Sequence, residues 1–458
     1  MVTDSEVCSG PLKVHPCNPR HFADETGNVV YVTGSHTWSN LQEFESDSPF
    51  DYAGYLDFMV GFNHNFMRMW AWECGLGDEW MHGWTEEKVL VQPLPHKRTK
   101  SGKFDLNRHN QEYFDRLRAR VLATRKRGIY VSVMLFQGWD VETKGRKTNP
   151  FDAHPFNKHN NINGIDGDPS GTGEGMDLHT LKIPAVTRLQ EAYVRKVLDT
   201  LNDLDNVLYE ISNESHGGSV EWHYHMINFI HEYEKNKPKQ HPVGMTFLWS
   251  DKNRGSNEDL FESPADWVSP NPEAKDGHNY AYNPPPADGR KVVLLDTDHL
   301  WGLGGDTAWA WKAFLRGYNP LFMDPYDTGY FGSGRIGLGL DDVGKVDPKW
   351  DPLRRALGYV RGFAEQVDLA EMTPHRELTQ TGYCLANPGV EYLVYLPSEY
   401  PARIWVDLSD AEGKLNVKWF NPRTGSEIHG GSVTGGARHA FRAPFSGDAV
   451  LHIREDSE

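Results

Sequence analysis

From about residue 29 to residue 367 the chain alternates between short apolar, β-rich runs and stretches with helical spacing. Few folds accommodate such a pattern. Each parallel strand needs a crossover that brings the chain back to the same edge, and eight strand–helix units in succession close into a (β/α)₈ barrel. The runs that read as strands are "VVYVTGSH" (29–36), "HNFMRMWAW" (64–72), "IYVSVMLFQGW" (129–139), "NVLYEISNES" (206–215), "HPVGMTF" (241–247), "ADWVSPN" (265–271), "KVVLLDTDH" (291–299) and "NPLFMDP" (319–325). Between them Tyr52, Tyr55, Leu56 and Met59, then Tyr113, Leu117 and Val121, then Leu189, Tyr193, Val197 and Leu201 recur at helical spacing. Further helical segments fall at 219–235, 306–317 and 352–367. After Thr373-Pro374 the pattern changes to short strands separated by turn residues, with "NPRTG" as a hairpin signal. The expected organisation is an N-terminal hairpin over 1–28 that closes the barrel bottom, a barrel over 29–372, and a small all-β sandwich over 373–458.

The formal charge of −17 argues against nucleic acid or an anionic membrane as a partner, and no apolar run is long enough to span a bilayer. The start, "MVTDSEVCSG", lacks a basic-then-apolar leader. This fits a protein kept inside the cell or a secreted one whose leader is not in this sequence. Four cysteines without CxxC spacing do not form a metal framework. No HExxH is present, so no metal is expected, and no organic cofactor is implied. Fifteen tryptophans are many, and several stand beside polar residues, in "GSHTWSN", "RMWAWECG", "DEWMHGW", "FQGWD" and "DHLWG". Flat rings flanked by hydrogen-bonding groups suit sugars, which have apolar faces and polar edges, so the expected partner is a carbohydrate. Oligomeric state is not readable from these patterns.

Barrel active sites lie at the C-terminal ends of the strands. Read together, those ends hold His36, Arg68, Gln137, Asn213-Glu214, Asp296 and Asp298, and Asp324. Period-two alternation puts Glu210, Ser212 and Glu214 on one face of strand four and Asp296 and Asp298 on one face of strand seven. Glu214 and Asp298 are then rim positions, with Glu210 and Asp296 one layer deeper. Two carboxylates across a rim are the minimum apparatus for cleaving a glycosidic bond. His36, Trp38, Trp70, Gln137, His299 and Trp301 are expected to line sugar subsites. Long loops over 73–110 and 138–180 that wall one end of the cleft would favour a pocket and exo action; endo and exo action both stay open.

"YEISNE" resembles the acid/base motif of the retaining glycoside hydrolases of the (β/α)₈ superfamily called clan A, which includes cellulase family 5. The resemblance covers roughly 20–370. It implies Glu214 as general acid/base, Asn213 as partner of the sugar 2-hydroxyl, and Arg68, in "FNHNFMRMW", as support for a nucleophile at the end of strand seven. The "VKWFNPRTG" module is similar to the collagen-binding-like β-domain of the apiosidase-like group, where strand seven often reads "LDGE". Here it reads "LDTD", which places Asp298 at the nucleophile and Asp296 at the companion aspartate. Aspartate is one methylene shorter than glutamate, so an inverting mechanism stays open. So do a non-catalytic glycan-binding barrel and a metal-dependent barrel hydrolase.

Overall fold

The computed structural model describes residues 8–44, 50–74, 91–145, 148–326 and 346–455. The eight runs form one parallel sheet of strands β1 (Gly34–His36), β2 (Phe66–Met69), β3 (Tyr130–Gln137), β4 (Val207–Asn213), β5 (Val243–Thr246), β6 (Trp267–Ser269), β7 (Val292–Asp296) and β8 (Asn319–Met323). Strands β2 to β8 pair in chain order, and β8 pairs with β1. At the remaining seam Asn65 N donates to Thr33 O and Thr33 N donates to Asn65 Oδ1, each at 3.0 Å. Gly34 permits this approach, since a Cβ there would stand 2.2 Å from the Phe66 carbonyl oxygen.

Every residue of these strands is buried, because the interior covers one face and helices cover the other. Facing inward, Phe66, Leu208, Leu294 and Leu321 share a cluster with Leu12 and Phe22 of the N-terminal segment. Two residues further along the same faces, β2, β4 and β7 carry Arg68, Glu210 and Asp296. The interior thus changes from hydrocarbon to charge within one pleat. The outer layer comprises α1 (Tyr52–Gly61), α2 (Gln111–Arg125), α3 (Pro184–Leu201), α4 (Val220–Glu234), α5 (Asn257–Phe261), α6 (Thr297–Trp301), α7 (Thr307–Leu315) and α8 (Asp351–Ala364).

Three expectations are corrected. The run over 29–36 is not one strand. Val29–Val30 pairs antiparallel with Phe22–Ala23, which pairs with Lys13–Val14, and only Gly34–His36 joins the barrel. The Asp24 carboxylate sets this up by accepting from Thr26 N and Asn28 N, which turns the chain just before Val29. The seventh strand ends at Asp296 rather than near residue 299, because the Asp296 side chain accepts from Asp298 N at 3.0 Å and caps α6. The crossover over 270–291 holds turns and isolated bridges but no helix, so β6 lacks the helical partner that the alternation implies.

Beyond α8 a six-stranded antiparallel sheet runs in spatial order Thr373–Pro374, Cys384–Asn387, Glu391–Leu396, Ala449–Glu455, Lys414–Phe420 and Glu427–Thr434. A two-stranded sheet, Arg403–Asp407 with Arg438–Arg442, completes the sandwich. One face of the large sheet buries Tyr392, Val394, Val417 and Trp419 with Ile404 and Val406. The other buries Leu393, Tyr395, Phe420 and Val450 against Trp311 and Phe314 of α7 and Val360 and Phe363 of α8.

Candidate active site

Arg68 lies at the centre of the barrel mouth and is fully buried. Nε and Nη2 grip Glu210 at 2.8 and 2.6 Å, and Nη2 also donates to Asn213 Oδ1 at 2.6 Å. Nη1 donates to Asp296 Oδ2 at 2.9 Å and Asp298 Oδ2 at 3.0 Å. All five N–H bonds of the guanidinium are therefore used. Here one cation faces three carboxylates, and Glu214 stands nearby as a fourth. Taken together, that charge imbalance and the low-dielectric setting favour retention of protons by the least supported acids.

Asp296 has the most support. Trp70 Nε1 donates to His36 Nδ1 at 2.7 Å, so Nε2 carries the hydrogen that His36 gives to Asp296 Oδ2 at 2.8 Å. Burial alone would raise Asp296, but His36 and Arg68 hold it well below the usual carboxylate range. Asp298, in the first turn of α6, retains 7% side-chain exposure. Burial pushes it up to about 6; Arg68 opposes this and the Asp296 charge adds to it. Glu214 lies just past β4 and is pushed up to about 8, chiefly by burial and then by the Asp298 charge. His299 is kept well below its ordinary value by burial. It donates from Nε2 to Asn213 Oδ1 at 3.1 Å and accepts at Nδ1 from Ser269 Oγ at 2.7 Å.

The Glu214 backbone is left-handed, with φ +46°. Its carboxyl direction is therefore set by this turn and not by the strand pleat, and alternation does not extend to Glu214 or Asp298. Gly138 makes room for the turn, since a Cβ there would lie 2.2 Å from the Glu214 carbonyl oxygen. Behind it, Ser215 Oγ bonds His179 Nδ1 at 2.9 Å, and His179 Nε2 reaches Glu73 Oε2 at 3.3 Å. Burial would raise Glu73, but His154 and His179 outweigh it and hold the carboxyl at about 2. Glu73 also accepts from Gln137 N at 2.8 Å, tying the chain after β2 to the end of β3 and, through His179 and Ser215, to the chain after β4.

The expected site residues separate by depth. Asp298, Trp38 and Trp301 are partly exposed, and Glu214 retains 7% exposure. His36, Gln137 and Asn213 are 0% exposed and Trp70 2%, while His299 is nearly buried. Their polar atoms bond one another and the carboxylates. The oxygen of the Asn213 amide, the expected partner of a sugar hydroxyl, accepts from Arg68 and His299, and its NH2 donates to Gln137 Oε1 at 3.3 Å. Asp324 is likewise spent on Arg354 of α8, at 2.6 Å. "DEWMHGW" and part of the 73–110 loop lie outside the described residues. Three residues that sequence reasoning did not assign to the site surround Glu214. Trp139 Nε1 donates to Glu214 Oε2, Lys144 Nζ donates to its carbonyl oxygen, and Trp249 stacks on Trp139 at 5.2 Å. Trp139 and Trp249 follow the ends of β3 and β5, a rim position that was the available signal. Nothing marks Lys144. Among the described residues no group of three His, Cys, Asp or Glu is arranged to hold a metal ion, and no helix is long and apolar enough to cross a membrane.

Residues 98–250 match the family model "Domain of unknown function (DUF6298)", and residues 372–453 match "Putative collagen-binding domain of a collagenase". No curated protein matches the chain. Among solved structures, a glycoside hydrolase family 5 protein from Bacteroides vulgatus ATCC 8482 aligns with TM-score 0.62 at 14% identity, covering 97% of this chain and 94% of that one. Another structure, described as "Glycoside hydrolase", aligns with TM-score 0.60 at 13% identity, covering 98% of both chains. The chain has the fold of these proteins over nearly its full length, including the β-sandwich.

Proposed function

We propose that this protein is a glycoside hydrolase that cleaves O-glycosidic bonds in an oligo- or polysaccharide, with Glu214 as general acid/base and Asp298 as nucleophile. The observation that carries this reading is the division of labour among the carboxylates at the barrel mouth. Glu214 is held protonated near neutrality, so it can donate to a leaving oxygen. Asp298 is the carboxylate of the strand-seven pair with an accessible oxygen and a direct bond to Arg68. Asp296 has both oxygens committed, Oδ2 to His36 and Arg68 and Oδ1 to Asp298 N. It is therefore a positioning group.

In the retaining sequence Asp298 attacks the anomeric carbon while the Glu214 proton passes to the departing oxygen. Water, deprotonated by Glu214, then releases the sugar from Asp298. The half-buried rings of Trp38 and Trp301 offer apolar faces to sugar C–H groups. The fold shared with family 5 glycoside hydrolases supports the reaction class, and the site chemistry supports the residue roles. The test is a broad glycan panel with product anomers followed by NMR. Glu214→Gln is expected to lower turnover ~10²–10⁴-fold, less for substrates with good leaving groups. Near-full turnover would remove Glu214 from its role, and inverted products would replace Asp298 attack with activation of water. The rate profile should be bell-shaped, rising near pH 6 as the pair loses its first proton and falling near pH 8 as it loses the second.

A further inference from the structure

Beside Glu214 the loop after β3 does something costly. Glu142 and Lys144, neither of them glycine, adopt left-handed backbone at φ +65° and +47°. Such conformations are unfavourable for residues with a Cβ and persist where the surroundings over-determine them. The lysine is only 5% exposed, although an ammonium normally seeks water. Its Nζ lies 5.2 Å from the Trp139 ring centre and 5.1 Å from that of Trp249, and the two ring centres are 5.2 Å apart with planes 18° from parallel. The three separations are nearly equal, so the ammonium lies within cation–π distance of both rings. The same Nζ donates to the Glu214 carbonyl oxygen, and the indole N–H of Trp139 donates to Glu214 Oε2.

We propose that Lys144 is a positioning residue for Glu214, one ammonium clamping both the carbonyl of the acid and the Trp139–Trp249 stack that holds its carboxyl. The proposal rests on the reading of Glu214 as the acid. The charged groups around that carboxyl are Asp298 from the head of α6, Arg68 from β2 and Lys144 from the loop after β3. Asp298 pushes the proton on, while Lys144 and Arg68 pull it off. Arg68 has every N–H committed elsewhere, so among the described residues Lys144 is the cation bonded to Glu214 itself. Without it, burial and Asp298 act with less opposition, and Glu214 keeps its proton to higher pH. Water attack on the glycosyl intermediate needs Glu214 as a base, so the clamp stops the acid from becoming too weak an acid to cycle.

The test uses the full chain with Lys144→Met, Lys144→Gln and Lys144→Arg. Glu214 is titrated without substrate through the Trp139 fluorescence, taken as the difference from Trp139→Phe. The basic limb of kcat/KM is followed in parallel on a glycan from the panel. Lys144→Met and Lys144→Gln should each move the midpoint and the limb upward by about one pH unit, and Lys144→Arg should hold both near the wild-type position. Should Lys144→Met fail to fold, Lys144→Gln, which keeps a donor for the carbonyl but carries no charge, decides the matter. Unchanged midpoints in the neutral variants, with only stability or kcat reduced, overturn the proposal and leave a structural brace. A Lys144-dependent midpoint together with full hydrolysis by Glu214→Gln supports the clamp while removing the assignment of the acid. Loss of hydrolysis in Glu214→Gln with wild-type midpoints in the neutral Lys144 variants does the reverse.

Discussion

Strands β4 and β7 each supply one fully buried carboxylate and one that reaches the rim, by different backbone devices. On β4 the pair, Glu210 and Glu214, is four residues apart, and the chain leaves the strand through a left-handed residue. On β7 the pair, Asp296 and Asp298, is two apart, and the deep member caps the helix that carries the rim member. Arg68 bonds both deep carboxylates but only one of the rim carboxylates, Asp298. The rim acid it leaves out is the one that holds its proton to the higher pH. Proximity of a carboxylate to the mouth does not decide its role; its share of the Arg68 guanidinium does.

The largest effect should come from removing the rim member of β7. Asp298→Ala is expected to lower turnover by about 10⁴-fold or more, with partial recovery in azide, which can enter the vacated space and attack in its place. Asp296→Asn should cost less and gain nothing from azide. Rescue confined to position 296 would transfer the nucleophile there and erase the contrast between depth and rim. Next is the deep member of β4. Glu210→Gln leaves Arg68 short of its bidentate partner, and a loss of about 3 kcal/mol in chemical denaturation is expected. A change under about 1 kcal/mol would mean that Asp296 and Asp298 suffice to hold the guanidinium. The smallest effect is one of sign. Glu214 has a folded value of about 8 against an ordinary 4.5, so its contribution to stability is fully present below about 4.5 and is lost as the pH rises through 8. Glu214→Gln should therefore melt above the wild type at pH 9, with the gap closing toward pH 4. A variant that melts lower at both pH values would show that the glutamate side chain is needed for the fold.

How much of this was legible follows from range. The barrel could be read because strand burial and helix amphipathicity are local, repeated signals, and the strand ends then gathered the carboxylates and Arg68 in one place. The end of β7 was misread because period-two alternation was carried through Asp296-Thr297-Asp298. An aspartate followed by a polar turn is also an N-cap signature, and capping prevailed. The depth of His36, Trp70 and Asn213 was not readable, because it depends on pairings between strands far apart in the chain. The strand-end positions of Trp139 and Trp249 could have been used. Lys144 could not, since a loop lysine carries no periodicity.

Over its central strands the six-stranded sheet beyond α8 is covered on both faces: one is closed by the two-stranded sheet, and the other is fitted to Trp311, Phe314, Val360 and Phe363. A sugar-binding appendage on a tether can be exchanged between enzymes by recombination, because neither partner notices its departure. This one cannot. Cutting the gene between α8 and the sheet would bare aromatic surface on both products, so the two parts are expected to be inherited together and to drift together. A substitution at Phe420 would then be answered by one on α7 or α8 sooner than by one within its own sheet.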